Sequence, residues 1–208
     1  MNLRQLVLGE LDTNCYIVWD EAGNALIIDP ADQPEEILAV VREHHLTVTA
    51  VVLTHVHFDH MLATEAVCAA TGAPLYVGAG DEPALSDPIR NLSGLFTPGH
   101  PITINPDRVL KEGETLAVGT LHFAIMETPG HTPGCICLLA GDTLFSGDTL
   151  FYDSIGRIDF PGGDQAAMLR SLRRLSALDP TIRVYSGHGP ATTIGRETAY
   201  NPYLNDKE

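Results

Sequence analysis

The chain has 208 residues, a length that suits a single domain spanning 1–208, and its 44% hydrophobic and 19% charged content supplies a core and excludes a disordered composition. A formal charge of −15, from 27 acidic and 12 basic residues, argues against nucleic acid as a partner. Cys15, Cys68, Cys135 and Cys137 form no C-x-x-C pair, Glu10 and Asp12 interrupt any leader-like run, and no segment approaches the roughly 18 apolar residues of a membrane span, so a reduced, cytoplasmic setting is expected, with no membrane partner.

In chain order, Leu3 to Leu8, Cys15 to Trp19 and Ala25 to Asp29 read as strands, with a turn at Glu21 to Asn24. Pro34 opens a helix carrying Ile37, Leu38 and Val41, and Ala50 to Leu53 is a short buried strand that delivers Thr54 and His55. A second helix is expected from His60 to about Thr71, ended by Gly72, followed by a strand at Leu75 to Val77. The stretch from Gly78 to Pro106, rich in Pro, Gly, Asp and Ser, has the character of a substrate-covering loop, with helical turns at Glu82 to Leu85 and Pro88 to Leu95. Strands resume at Arg108 to Leu110, Thr115 to Val118, Leu121 to Glu127, Cys135 to Ala140 and Thr143 to Ser146. Gln165 to Leu178 is an amphipathic helix with Met168, Leu169, Leu172, Leu175 and Leu178 on one stripe, and Ile182 to Tyr185 is the last buried strand. Two halves of strands, helix, strand and helix imply an α/β fold of two sheets packed face to face with helices outside, and chemistry at the carboxyl ends of the strands.

Residues 54 to 60 read Thr-His-Val-His-Phe-Asp-His, directly after a buried strand. An isolated H-x-H is more often an incidental surface pair, but three histidines and an aspartate in one short loop have no packing use and point to metal. Alternation in an extended turn sends successive side chains to different sides, so this loop alone can serve two cations. Further ligands are then required downstream, and Gly130-His131, Gly147-Asp148 and Gly187-His188 each place a glycine and a ligand at a strand end.

H-x-H-x-D-H followed by single His, Asp and His at strand ends resembles the metallo-β-lactamase superfamily over essentially the whole chain. Thr-Pro-Gly-His-Thr-Pro-Gly (128–134), Gly-Asp-Thr-Leu-Phe (147–151), Gly-Arg-Ile-Asp-Phe-Pro-Gly-Gly (156–163) and the closing Asn-Pro-Tyr-Leu (201–204) are similar to its compact glyoxalase II-like hydrolases of bacteria. The resemblance implies a four-layer αββα sandwich with a metal site at one edge of the sheets. It also implies that His55, His57 and His131 hold one divalent cation, that Asp59, His60 and His188 hold another, and that Asp148 bridges them. Asp59 and Asp148 would share the catalytic work. Zinc is the first choice, and iron and manganese suit the same donors. The implied reaction is hydrolysis of a small-molecule acyl thioester such as S-lactoylglutathione by a metal-bound hydroxide. A thiolate leaves readily, which favours thioesters over β-lactams. Classical glyoxalase II enzymes carry a C-terminal helical extension with glutathione contacts, whereas this chain continues only twenty residues past His188, so another thiol carrier stays open. A second reading also stays open: persulfide dioxygenases share the scaffold and use one iron, here at His55, His131 and Asp148. A metal-binding module without turnover is the third.

Arg157 reads equally as a ligand for a substrate carboxylate and as a partner of Asp153 or Asp159 that fixes its own loop. Tyr152 and Phe160 are candidates for lining the same cleft, and equally read as residues that simply pack it. His100, in Thr97-Pro98-Gly99-His100-Pro101, imitates the segment around His131 but follows no long strand, and His44, His45 and His122 read as helix-end or surface residues. Cys135 and Cys137 share one strand face and read as small hydrophobes.

Overall fold

A computed structural model describes residues 1–97 and 99–204. The first sheet comprises β1 (Asn2–Leu8), β2 (Thr13–Trp19), β3 (Asn24–Ile28), β4 (Thr47–Leu53), β5 (Leu75–Gly78) and β6 (Arg108–Leu110), in that order. Its first three strands pair antiparallel and the remainder parallel. The second sheet runs β14-β13-β10-β9-β8-β7, from β7 (Thr115–Val118), β8 (Leu121–Glu127), β9 (Ile136–Ala140), β10 (Thr143–Gly147), β13 (Arg183–Ser186) and β14 (Thr192–Thr193). A hairpin of β11 (Leu150–Phe151) and β12 (Ser154–Ile155) stands apart. Helices α1 (Pro34–Glu43) and α2 (Thr64–Thr71) cover the first sheet, α4 (Gln165–Ser176) and α5 (Ile194–Tyr200) cover the second, and a short α3 (Ser93–Phe96) lies in the long connection.

Strand alternation builds these layers. In β2, Cys15 and Ile17 pack under α1 and α2, while Tyr16 and Val18 enter the space between the sheets with Phe123, Ile125 and Phe145. Leu26 and Ile28 of β3 and Val52 of β4 face the same inter-sheet core, and Ile27, Val51 and Leu53 face the helices. Strands buried on both faces therefore read as unbroken apolar runs. On the far side, Met168, Leu172 and Leu175 of α4 pack on Leu144 and Val184. The fold is the expected αββα sandwich. Among the described residues no helix is long and apolar enough to cross a membrane.

The second helix begins later than its sequence suggests. Phe58–His60 is a 3₁₀ turn, closed by the amide of His60 on the carbonyl of His57 (3.0 Å), and α2 starts only at Thr64. Helical continuation from His60 is overridden by the need to bury its ring at the sheet edge. The 78–106 stretch is held by Asn91, which is buried, accepts from the Ser93 hydroxyl (2.7 Å) and donates to the Ile102 carbonyl (3.0 Å). The small α5 anchors the hairpin: Glu197 accepts from the Asp153 amide (2.8 Å), and the Asn201 side chain donates to the Ser154 carbonyl (3.0 Å).

The two sheets are stitched together at one edge. The Asn14 amide donates to the Gly187 carbonyl (2.7 Å), Tyr16 Oη to the Ser186 carbonyl (2.6 Å), and the Ile136 amide to the Thr54 carbonyl (2.9 Å). The ends of β4, β10 and β13 are thereby fixed relative to one another, and the loops they launch converge.

Candidate metal centre

All seven sequence candidates converge on this edge. His55, His57 and His131 offer donor atoms close enough for one ion, as do His55, His60 and Asp148, and Asp59, His60 and His188; the donor atoms of each set lie within 4.8 Å of one another. Asp148 sits between the outer two sets: its Oδ1 faces His60 Nε2 (3.4 Å), and its Oδ2 faces both His131 Nε2 (3.5 Å) and His188 Nε2 (3.6 Å).

Hydrogen bonds on the far side of each ring decide what these histidines present. His131 Nδ1 donates to the Arg157 carbonyl (2.7 Å), and His188 Nδ1 donates to the Leu11 carbonyl (3.1 Å). His60 Nδ1 donates to Asp29 Oδ2 (3.0 Å). The Thr54 hydroxyl gives its own proton to Asp29 Oδ2 (2.7 Å) and so accepts from His55 Nδ1 (3.3 Å). Four imidazoles thus keep their proton on Nδ1 and aim a bare Nε2 inward, the orientation that outer partners impose on metal-ligating histidine. The bare nitrogens face one another across 3.2 Å for His55 and His131 and 3.3 Å for His60 and His188. Two lone pairs cannot satisfy each other, whereas a cation between them satisfies both. His57 Nε2 and Asp148 Oδ1 are likewise buried with no hydrogen-bond partner among the described residues.

The two ends of the site differ electrostatically. Burial, reinforced by neighbouring imidazoles, holds His55 well below the usual histidine range and pushes His57 down to about 3, so this end rejects a proton and suits a metal ion. At the other end burial also disfavours charge, but Asp148, Asp59 and Asp29 outweigh it and raise His60, and hydrogen bonding to Asp59 raises His188. Burial opposes ionisation of Asp59 as well, yet His60, His188 and the Thr13 hydroxyl (3.0 Å) keep it below the ordinary carboxylate range. Neutral imidazoles at one end, imidazoles with a carboxylate at the other and Asp148 between them fit two borderline divalent cations.

Gly187 leaves the room this requires. A Cβ there would strike Asp148 Oδ1 and come within 2.7 Å of His60 Cε1. Gly187→Ala is expected to abolish cation binding at the Asp59, His60 and His188 end while the cation-free protein keeps its fold, which titration calorimetry together with circular dichroism will show.

A cleft of about 450 Å³ opens over the site, walled by Leu11, Phe58, Leu92, Phe96, Phe151, Ile155 and Phe160. Phe58 and Phe96 stack with centroids 5.0 Å apart, so the 78–106 connection does supply a wall of the cleft. Phe160 lines it as expected. Arg157 lines it too, but its guanidinium is held by Asp159 through two 2.7 Å hydrogen bonds and lies 3.8 Å over the Phe160 ring. Tyr152 requires a correction. It is not among the lining residues; its ring lies under the Arg196 guanidinium (3.6 Å), and its neighbours Phe151 and Ile155 face the cleft instead. One-residue alternation in so short a hairpin sends 151 and 152 to opposite sides. His100 is exposed and joins none of the donor sets. Cys135 and Cys137 are buried, and burial pushes the Cys137 thiol up to about 11, which matches a packing role.

Sequence reasoning missed Asp29, Thr13 and Asp81, all of which touch the ligand loops. For Asp29 a signal existed: it ends an all-apolar strand just before Pro30, the same strand-then-polar pattern that marks the ligands themselves.

The family model for the Metallo-beta-lactamase superfamily matches residues 8–188. A hydroxyacylglutathione hydrolase, GloC, of Haemophilus influenzae is 34% identical over 211 residues that cover 100% of both chains. Among solved structures, the B3 metallo-beta-lactamase BLEG-1 superposes with a TM-score of 0.93 at 38% identity, covering 98% of this chain and 100% of that one. The di-iron-bound form of TTHA1623 gives 0.87 at 38% identity, with 97% and 100% covered. ETHE1 from Myxococcus xanthus gives 0.80 at 33% identity, with 100% and 86% covered.

Proposed function

Because the chain belongs to the metallo-β-lactamase superfamily, we propose that it is a dinuclear hydrolase of small acyl thioesters, with S-lactoylglutathione as the first substrate to test. The observation that carries this reading is the pairing of two donor groups that each fit a cation, joined by Asp148, with an apolar cleft that offers no separate proton donor among the described residues. Every ionisable side chain lining the cleft belongs to the donor groups, apart from Arg157, which is paired with Asp159. A site of this kind suits a leaving group that departs without protonation, and a thiol of reference pKa about 8.5 is one.

Within this reading His55, His57 and His131 hold one cation and Asp59, His60 and His188 the other, with Asp148 shared. When bound, the cations supply Lewis acidity toward a carbonyl oxygen and acidify water. The chain supplies the remainder. Carbonyls of Leu11 and Arg157, with Asp29 and Thr54, hold the imidazoles in one tautomer and one orientation. Asp59, kept ionised and aimed by Thr13, would orient the attacking water by accepting a hydrogen bond from it. The Phe58, Phe96 and Phe160 walls seat the acyl group and exclude bulk water. The likeness to GloC supports a glutathione thioester, while the di-iron form of TTHA1623 puts iron beside zinc as a candidate ion.

The test is to purify the protein without chelators and count metals per chain. On the same sample, S-lactoylglutathione and β-lactam hydrolysis are measured beside oxygen uptake with glutathione persulfide. Two metals with thioester cleavage are expected. One iron with persulfide-dependent oxygen uptake and no thioester cleavage overturns the reading and moves the chemistry to His55, His131 and Asp148 around a single ion. β-lactam cleavage without thioester cleavage overturns the substrate class.

A further inference from the structure

Asp81 has no part in the chemistry above, yet it is fully buried beside it. It follows β5, and its carboxylate faces the loop that carries His131. Oδ2 accepts from the Thr132 hydroxyl (2.7 Å) and Oδ1 from the Gly134 amide (2.7 Å). Thr132 follows His131, and the Ile136 amide, two residues past Gly134, donates to the carbonyl of Thr54 (2.9 Å) beside His55, so the segment that Asp81 grips carries one imidazole and is bonded to the root of the loop that carries two more.

The backbone is shaped around this contact. A Cβ at Gly134 would collide with the Asp81 amide nitrogen, and Cβ atoms at Gly78 and Gly80 would collide with the carbonyls of Gly134 and Pro133. Only glycine on both sides lets the 78–81 and 133–134 turns approach until the two hydrogen bonds close. Asp81 is fully buried and does not line the cleft, so neither solvent nor substrate reaches its carboxylate, which makes it an anchor and not a reactant.

We propose that Asp81 is a positioning residue for the His55, His57 and His131 group: it fixes the 131–134 loop, and with it His131, and thereby sets cation affinity at that end, independently of the Asp59, His60 and His188 end. This rests on the dinuclear reading of the site. A merely structural buried aspartate would, on removal, loosen both ends alike.

Full-length protein stripped with chelator is titrated with Co²⁺ by calorimetry, with His57→Ala identifying which binding step belongs to the first group. Asp81→Ala is expected to weaken that step by about 10- to 100-fold and leave the other within about twofold, as loss of an outer partner does elsewhere. Asp81→Asn, which keeps one acceptor oxygen, falls between, and Thr132→Val, which removes one of the two hydrogen bonds, carries the test where Asp81→Ala does not fold. Equal weakening of both steps, or none, overturns the proposal. A cation-free readout separates this from the dinuclear reading: the His131 Nδ1 proton, held by the Arg157 carbonyl, is expected to be lost to solvent exchange in the Asp81 variants by nuclear magnetic resonance, while that of His60 persists. If wild type takes up no cation, the dinuclear reading falls and the proton measurement still decides the role of Asp81; an unchanged His131 proton overturns it.

Discussion

Asp148→Ala is expected to lower kcat/KM for the thioester by about a thousandfold or more, a loss of roughly 4 kcal/mol of transition-state stabilisation. The size follows from its position. Among the described residues Asp148 is the one carboxylate that faces His60 with one oxygen and both His131 and His188 with the other, and its Oδ1 has no hydrogen-bond partner among them. On the dinuclear reading, its removal takes from the two cations their shared anion and the fixed spacing that would let them act together. Asp148→Asn separates charge from shape. Its amide presents oxygen to one end and N–H to the other, so one cation is expected to remain and one to be lost. Metal counting with steady-state kinetics distinguishes the outcomes: an alanine variant that keeps two cations and more than a tenth of wild-type activity would show that the two ends are independent and that Asp148 does not join them.

What made the site legible was local density and repeated syntax. Three histidines and an aspartate between 55 and 60 announce a metal without any tertiary information, and the glycine-ligand pairs at 130, 147 and 187 repeat one rule at three strand ends. Strands β2 to β4 were legible because burial on both faces gives continuous apolar runs. The start of α2 was not, since His60 is drawn into the site by Asp29 and the ring's burial outweighs local helix preference. The β11–β12 hairpin and α5 escaped because elements of 2 and 7 residues carry too little periodicity to phase, and for the same reason the side of the hairpin on which Tyr152 lies is not legible. Asp29 and Asp81 are single aspartates whose role depends on what the fold brings to them. A lone carboxylate has no spacing to read, whereas a ligand loop does.

Asp29 carries the second large prediction. It is buried and accepts from the Thr54 amide (2.7 Å), the Thr54 hydroxyl (2.7 Å) and His60 Nδ1 (3.0 Å). Asp29→Ala strands three buried donors in a region closed to water. Breaking a buried charged partnership of this kind costs about 3–5 kcal/mol, which for a domain of this size lowers Tm by roughly 6–20 °C. Asp29→Asn is the more informative change because it preserves volume. Its Oδ1 can still serve the Thr54 amide, but the position held by Oδ2 now carries an N–H that faces the Thr54 hydroxyl and His60 Nδ1. To accept from that group, His60 must move its proton to Nε2, where it points at the bare nitrogen of His188 and at Asp148. A histidine protonated on Nε2 cannot ligate through that atom. The asparagine variant is therefore expected to lose cation binding at the Asp59, His60 and His188 end by at least about tenfold while destabilising the cation-free fold less than alanine does. Calorimetric cation titration, thermal melting and the ¹⁵N shifts of the His60 ring test each part. Retention of the Nδ1-protonated form in Asp29→Asn, with unchanged cation affinity, would mean that the outer carboxylate does not set the tautomer of His60.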